Sequence, residues 1–181
     1  MNRLIVTLFL AMLFAAPARA GDVNAASCSQ AAVQTAVNTA INGDRVLVPS
    51  CSPTTWTAQV VIPNTKGIAL EGAGIGVTTI VDGISNASLI QLNIASGNSV
   101  SIVTGFTFDA NSVSKSGTNG EIEVVGGGLN SFRIHHNRFA NLRARGMVTT
   151  AGGLAVSGLI DHNTIEAPNN FSVQGITMFG A

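Results

Sequence analysis

All three histidines of the chain fall in two short segments, Ile134-His135-His136-Asn137-Arg138-Phe139 and Ile160-Asp161-His162-Asn163-Thr164-Ile165. Both read Ile-x-His-Asn-x-apolar, and the first x is His135 in one and Asp161 in the other. A histidine beside a carboxylate can work as a general acid–base pair, because imidazole changes charge near neutral pH. The same two groups also make an ordinary polar pair on an exposed sheet surface. His136 and His162 match each other. They read as a stacked pair, or as two ligands of a metal that would still need a third. Arg133, Arg138, Arg143 and Arg145 crowd the first segment. The chain has nine Lys plus Arg in all, and two of these, Arg3 and Arg19, sit at the extreme N-terminus. Guanidinium forks suit carboxylates, so an acidic polysaccharide is the natural ligand for such a group, and a solvated charged surface is the plain alternative. The residues to be positioned are therefore Arg133, His135, Arg138 and Asp161, expected on one lateral face. His135 or an arginine would be the base, and the remaining arginines would hold substrate carboxylates.

Such positioning needs a repeating element. Val103-Thr104-Gly105-Phe106-Thr107-Phe108 matches the apolar ends of the two histidine segments, and Gly67-Ile68-Ala69-Leu70-Glu71-Gly72 is a looser copy. A spacing of about 26–35 residues, with further short strands inside each interval, is what a three-sided solenoid coil requires. A sandwich would not repeat one motif in this way. Ile134, Phe139, Ile160 and Ile165 then point inward, and alternation sends His135 and Asp161 outward, about 5 Å apart on successive coils. Asn137 and Asn163 fall at the turn. Asparagine tolerates the left-handed backbone such a turn needs, and the two amides should bond along a stack spaced by about 4.8 Å.

One segment has helical spacing: Val33, Ala36, Val37, Ala40 and Ile41, with Ser27 and Gln30 as a capping box and Asn42-Gly43 as the stop. Val46-Leu47-Val48 follows as a strand ended by Pro49. Beyond it come only short apolar runs separated by Gly, Asn and Ser, at Gln59–Ile62, Gly67–Leu70, Thr79–Val81, Leu89–Ile94, Ser101–Phe108, Glu121–Val125, Ser131–Phe139, Met147–Thr149, Leu159–Ile165 and Phe171–Phe179. Gly72-Ala73-Gly74-Ile75-Gly76 lacks the spacing and the following helix of a dinucleotide loop, and reads as a coil turn. Charged residues are only 10% of the chain and balance to zero, which argues against attraction to nucleic acid or an anionic membrane.

The N-terminus reads as a secretory signal over residues 1–20. Arg3 supplies the positive start, Leu4 to Ala16 the apolar run, and Ala18-Arg19-Ala20 the cleavage pattern. The run is too short for a comfortable membrane span, so no stable span is expected after cleavage. The mature domain is 21–181. In an exported chain the two cysteines, Cys28 and Cys51, are expected as a disulfide closing a loop of roughly 24 residues, worth about 3 kcal/mol. The last stretch, Phe171–Ala181, lacks a polar cap. The chain is therefore expected to be a fragment, or to need further coils or a partner over its last coil.

These motifs resemble the pectate-lyase-like superfamily. The resemblance rests on the leading helix from Cys28 to Ile41, the strand Gly43-Asp44-Arg45-Val46-Leu47-Val48-Pro49, the stretch Gly67 to Gly74, and the Ile-x-His-Asn coils. It implies an all-β fold, a right-handed single-stranded parallel β-helix whose N-terminal α-helix caps the open end. It also implies a secreted polysaccharide lyase or hydrolase in which an Arg or Lys removes a proton beside a uronate carboxylate, often with Ca²⁺. Leu159-Ile160-Asp161-His162 is similar to the family's metal-proximal aspartate motif. Asp82, Asp109, Glu121, Glu123 and Glu166, among the other carboxylates, are too scattered in sequence to mark a calcium site. The clustered aspartates and Gly-His-Gly of the related polygalacturonases do not occur. A non-catalytic extracellular scaffold or carbohydrate-binding protein of the same fold is the competing expectation. Trp56 is the one aromatic suited to stacking on a sugar, and it would equally suit packing beside the disulfide.

Overall fold

The computed structural model describes residues 20–111, 113, 115, 119–150, 155–168 and 173–179. The leader expected over residues 1–20 lies outside these but for Ala20.

Alternating inward and outward side chains build the fold strand by strand. After β1 (Asp22–Asn24) and α1 (Gln30–Thr39), each coil contributes three short parallel strands. They are β2 (Arg45–Val48), β3 (Cys51–Trp56) and β4 (Val60–Ile62); β5 (Ala69–Gly72), β6 (Thr78–Asp82) and β7 (Ile90–Ala95); then β8 (Ser101–Thr104), β9 (Thr107–Asp109) and the first half of β10 (Ile122–His135). The second half of β10 begins the next coil with β11 (Arg138–Ala140) and β12 (Arg145–Thr150), and β13 (Val156–Asp161), β14 (Thr164–Ile165) and β15 (Gln174–Phe179) make the last. The result is a parallel β-solenoid of about four turns. Because β10 pairs with β7 and β12 at one end and with β8 and β13 at the other, two of the three faces join into one ten-stranded sheet. The third face is β3-β6-β9-β11-β14.

Equivalent residues stack into columns. Val46, Leu70, Val103, Ile134 and Ile160 form one inward column, and Ile80, Phe108, Phe139 and Ile165 another. The Phe108 ring lies 5.3 Å from Phe106 and 5.4 Å from Phe139. A third column runs Val60, Ile90, Ile122, Met147, Ile176. Each column is buried until the last coil, where Ile165 is 39% and Ile176 49% exposed.

The other end is closed. Helix α1 buries Val33, Ala36 and Val37 over the first coil. Its cap is Ser29, which accepts from Ala32 N, and not Ser27 as the capping-box spacing suggests. Gln30 and Gln34 turn instead to the free edge of β4. Gln30 Nε2 donates to Gln59 O, and the Gln34 amide both donates to Val61 O and accepts from Val61 N, standing in for a missing strand. The helix stops before Ile41, which is exposed, because Asp44 Oδ2 accepts from Ile41 N. Lys66 Nζ then donates to the terminal carbonyls of Val37 and Ala40, at 2.5 and 2.6 Å. Cys28 and Cys51 form a disulfide with a Cα–Cα distance of 6.3 Å. Trp56 is fully buried beside it and donates from Nε1 to Cys28 O, so it packs and cannot serve as a sugar platform.

Two strands, β1 and β3, escape the apolar-run reading. Strand β3 is polar and contains Pro53. It survives because it is the first strand of its face, where a missing N–H costs least, and its pairing with β6 shifts register between Cys51 and Thr54.

Candidate functional site

The solenoid register places the histidine segments directly over each other: Arg133 pairs with Leu159, Ile134 with Ile160 and His135 with Asp161. The outer column through Leu47, Glu71, Thr104, His135 and Asp161 is continuous from β2 to β13. His135 and Asp161 are therefore neighbours on one face, as alternation requires. Arg133 lies two residues earlier on that face. Arg138 does not join them. It starts β11, beyond the turn, on the adjoining face, and Arg145 opens β12 on the third. The arginines that crowd in sequence are spread around the coil, because one coil turns two corners between 133 and 145.

The turn itself is held by amides. Asn137 is fully buried, accepts from Phe106 N at 3.1 Å, and donates to Val103 O and His135 O at 2.9 Å each. Asn163 Oδ1 accepts from Asn137 N at 3.0 Å and from Asn137 Nδ2 at 3.2 Å. The expected stack is present, with one correction. The left-handed residues are the histidines before the asparagines, His136 (φ 51°) and His162 (φ 52°), and Gly105 (φ 79°) holds the same place one coil earlier. The asparagine is thus freed to bond inward, while histidine, which like asparagine is enriched in this region, takes the turn.

The placement pushes the imidazoles outward. The His136 and His162 rings are parallel within 1°, with centroids 4.9 Å apart. His135 meets His136 edge-on at 5.0 Å, with Nδ1 atoms 2.7 Å apart, and approaches Thr104 Oγ1 at 3.2 Å. Burial, then the charge of Arg133 and then the neighbouring His136, push the His135 pKa down.

Asp161 does not bond His135. Arg133 grips it with two bonds, Nε to Oδ1 at 3.0 Å and Nη2 to Oδ2 at 2.7 Å, and His162 Nδ1 lies 2.6 Å from Oδ2. The guanidinium foremost, with His162 adding to it, holds this carboxyl far below the usual carboxylate range. The arrangement repeats on the adjoining face: Arg138 donates from Nε and Nη2 to the two oxygens of Glu166 at 3.0 and 2.6 Å, which also lowers the Glu166 pKa. Both pairs span 28 residues. That is the 26-residue coil interval seen between Asn137 and Asn163 plus one step of alternation, so each arginine reaches the diagonal neighbour on the next coil. The sequence carried this signal in the equal offsets of Arg133 to Asp161 and Arg138 to Glu166.

A second set of charges is buried and was not apparent from the motifs. Lys115 Nζ sits 2.6 Å from Asp82 Oδ2, both side chains fully buried, and donates to Ile84 O and Ala87 O at 2.8 and 2.9 Å. Glu121 lies within their field, and burial pushes its carboxyl up to about 8. Among the described residues no three His, Cys, Asp or Glu side chains converge as metal ligands, so neither the histidines nor Asp161 make a calcium or zinc cage there.

Comparison with known proteins is silent. No family model, no curated protein and no solved structure matches this chain. The functional reading therefore rests on the fold and on the edge formed by residues 133–136 and 161–162.

Proposed function

We propose that the chain is an exported β-helix of the pectate-lyase-like kind that binds a polysaccharide along the edge formed by Thr104, Arg133, His135, His136, Asp161 and His162, without cleaving it. The observation that carries this reading is the bidentate pairing of Arg133 with Asp161. An arginine committed to a carboxylate in two bonds is neither a free base nor a free clamp for a substrate carboxylate. What the edge offers instead is planar hydrogen-bonding groups repeated at the coil spacing and a flat pair of imidazole rings, which suit the hydroxyls and the faces of sugar rings. The Cys28–Cys51 bridge is in keeping with export, and no helix among the described residues is long and apolar enough to cross a membrane.

Affinity electrophoresis of the purified chain against pectate, alginate and neutral glycans, run between about pH 5 and 7.5, tests the reading. Retardation by at least one glycan is expected, and loss of it in an Arg133→Ala, His162→Asn variant. A folded chain that no glycan retards would sink the proposal.

One observation favours a second reading, a lyase or hydrolase. Asp161 accepts from His162 Nδ1, an arrangement that orients an imidazole for general base work. In that reading His162 replaces His135 as the base. It requires new unsaturated or reducing ends to accumulate with the wild type and to vanish with His162→Asn.

A further inference from the structure

The cluster of Asp82, Lys115 and Glu121 shares no residue with the polar edge, and the glycan reading does not use it. Asp82 closes β6 in one coil, and Lys115 lies between β9 and β10 in the next. Both side chains are fully buried, and Lys115 Nζ stands 2.6 Å from Asp82 Oδ2. Nζ also donates to Ile84 O at 2.8 Å and to Ala87 O at 2.9 Å. An uncharged amine has a pair of N–H bonds and a lone pair. The two carbonyls take both N–H bonds, which leaves the lone pair for Asp82. The approach to Oδ2 does not follow a hydrogen-bonding direction, and Oδ2 has no hydrogen-bond partner among the described residues. With a C=O bond of about 1.2 Å, Nζ lies within about 4 Å of Cγ whatever the angle.

The carboxyl is fixed as an electrophile would be. Ile84 N donates to Oδ1 at 2.8 Å, where negative charge would gather if nitrogen attacked Cγ. Separated charges are costly in such a site, so a proton passed from ammonium to carboxylate, leaving amine and acid, is favoured by burial. Burial pushes the Asp82 pKa up in the same sense. Glu121 is a further buried carboxyl that feels the charge of both partners, and its Oε2 has no hydrogen-bond partner among the described residues.

We propose that Lys115 and Asp82 condense into an intramolecular isopeptide bond, a covalent tie between successive coils that forms without a second enzyme. The Lys115 ammonium first gives a proton to Asp82 Oδ2. The amine lone pair then attacks Cγ, and the C–O π pair moves onto Oδ1, held by Ile84 N–H. A second nitrogen proton passes to Oδ2, with Glu121 as its carrier. The Cγ–Oδ2 bond breaks, Oδ2 leaves as water, and the amide C=O re-forms at Oδ1. One ammonium and one carboxylate become one amide and one water, with no oxidant, cofactor or activated donor. Fixed geometry supplies the drive that a free amine and a free acid lack in water. The tie would hold the second and third coils together independently of the Cys28–Cys51 bridge, which joins β3 to the segment before α1.

Tryptic peptides of the purified, denatured and reduced full chain test it by mass spectrometry. Lys115 is the one trypsin site between Lys66 and Arg133. The bond should block it and give a single peptide from Gly67 to Arg133 that lacks one water, with fragmentation placing the tie at Asp82. Lys115→Met keeps the length of the side chain without its nitrogen, and the same peptide should then keep its water. Glu121→Gln, followed from synthesis, should lose the water about a hundredfold more slowly and reach the same product. Wild-type peptides at full mass, whether or not cut after Lys115, overturn the proposal. So does a peptide that ends at Lys115 and lacks water, since ring closure at Asp82-Gly83 would then account for the loss, and so does a loss that persists in Lys115→Met. An unchanged rate in Glu121→Gln overturns the part given to Glu121. None of these outcomes bears on glycan binding.

Discussion

Asn137 ties three coils together with one amide. It receives Phe106 N from the coil before, bonds Val103 O and His135 O, and meets Asn163 on the coil after. Truncation would strand several buried backbone groups in a site that water does not reach. Asn137→Ala should therefore cost about 2–4 kcal/mol, read as a lowered denaturation midpoint, and Asn163→Ala, half-buried, should cost less. Glu121 makes the opposite kind of prediction. Its folded carboxyl titrates near 8, against 4.5 in an open chain. Below about pH 4.5 both states hold the proton. As pH rises toward 8 the unfolded state gives it up first, so stability falls through that window. Glu121→Gln should remove this fall, leaving the variant a few kcal/mol more stable than the wild type above pH 8 and similar near pH 4.5. Asp161 and Glu166 contribute in the other sense. Their lowered pKa values give stability that is present above the ordinary carboxylate range and lost as pH falls below it. A wild type whose midpoint rises steadily from pH 5 to 9 would contradict the burial assigned to Glu121.

At the scale of elements, α1 and the edge it covers are built as one unit. Gln34 completes the hydrogen bonding of β4, and Lys66 neutralises the carbonyl end of the helix from the turn after β4. Lys66→Ala should destabilise the chain by about 1–2 kcal/mol, with the earliest hydrogen-exchange losses in residues 30–40. Uniform exchange across the chain would argue that the helix end is held by something else. The elements also show what sequence reasoning could reach. The helix was visible because Val33, Ala36 and Val37 recur at its period, and the coils were visible because Ile134 and Ile160 restart the same motif. The register of His135 over Asp161 followed directly. Strand β3 was hidden, because an edge position relaxes the usual demand for apolar residues and tolerates Pro53. The cap shifted from Ser27 to Ser29 because tertiary bonds to Gln59 and Val61 recruit the glutamines. The actual partner of Asp161 lay one step off the expected one, since a long arginine reaches a diagonal neighbour that a spacing argument between matched positions passes over.

At the scale of the whole molecule, the two ends of the described solenoid differ. The first coil is covered by α1, β1 and the disulfide. On the last described coil Ile165, Ile176 and Met178 are exposed, and Met178 is 69% exposed although it lies on the core side of β15. An exposed apolar face of this kind favours self-association. The isolated chain should associate as its concentration rises, and Ile176→Thr with Met178→Thr should shift it toward a monomer in light scattering. A wild type that stays monomeric at high concentration would show that the described coil is covered within the chain. Between the ends, the polar edge of residues 133–136 and 161–162 is where our proposal places the glycan. Its direct test is incubation of the folded chain with pectate, alginate and neutral glycans, in which bound polymer and newly formed unsaturated and reducing ends are measured together. The account predicts that at least one polymer is bound and that no new ends form; a folded chain that binds none of them, or unsaturated or reducing ends that accumulate with time, would contradict it.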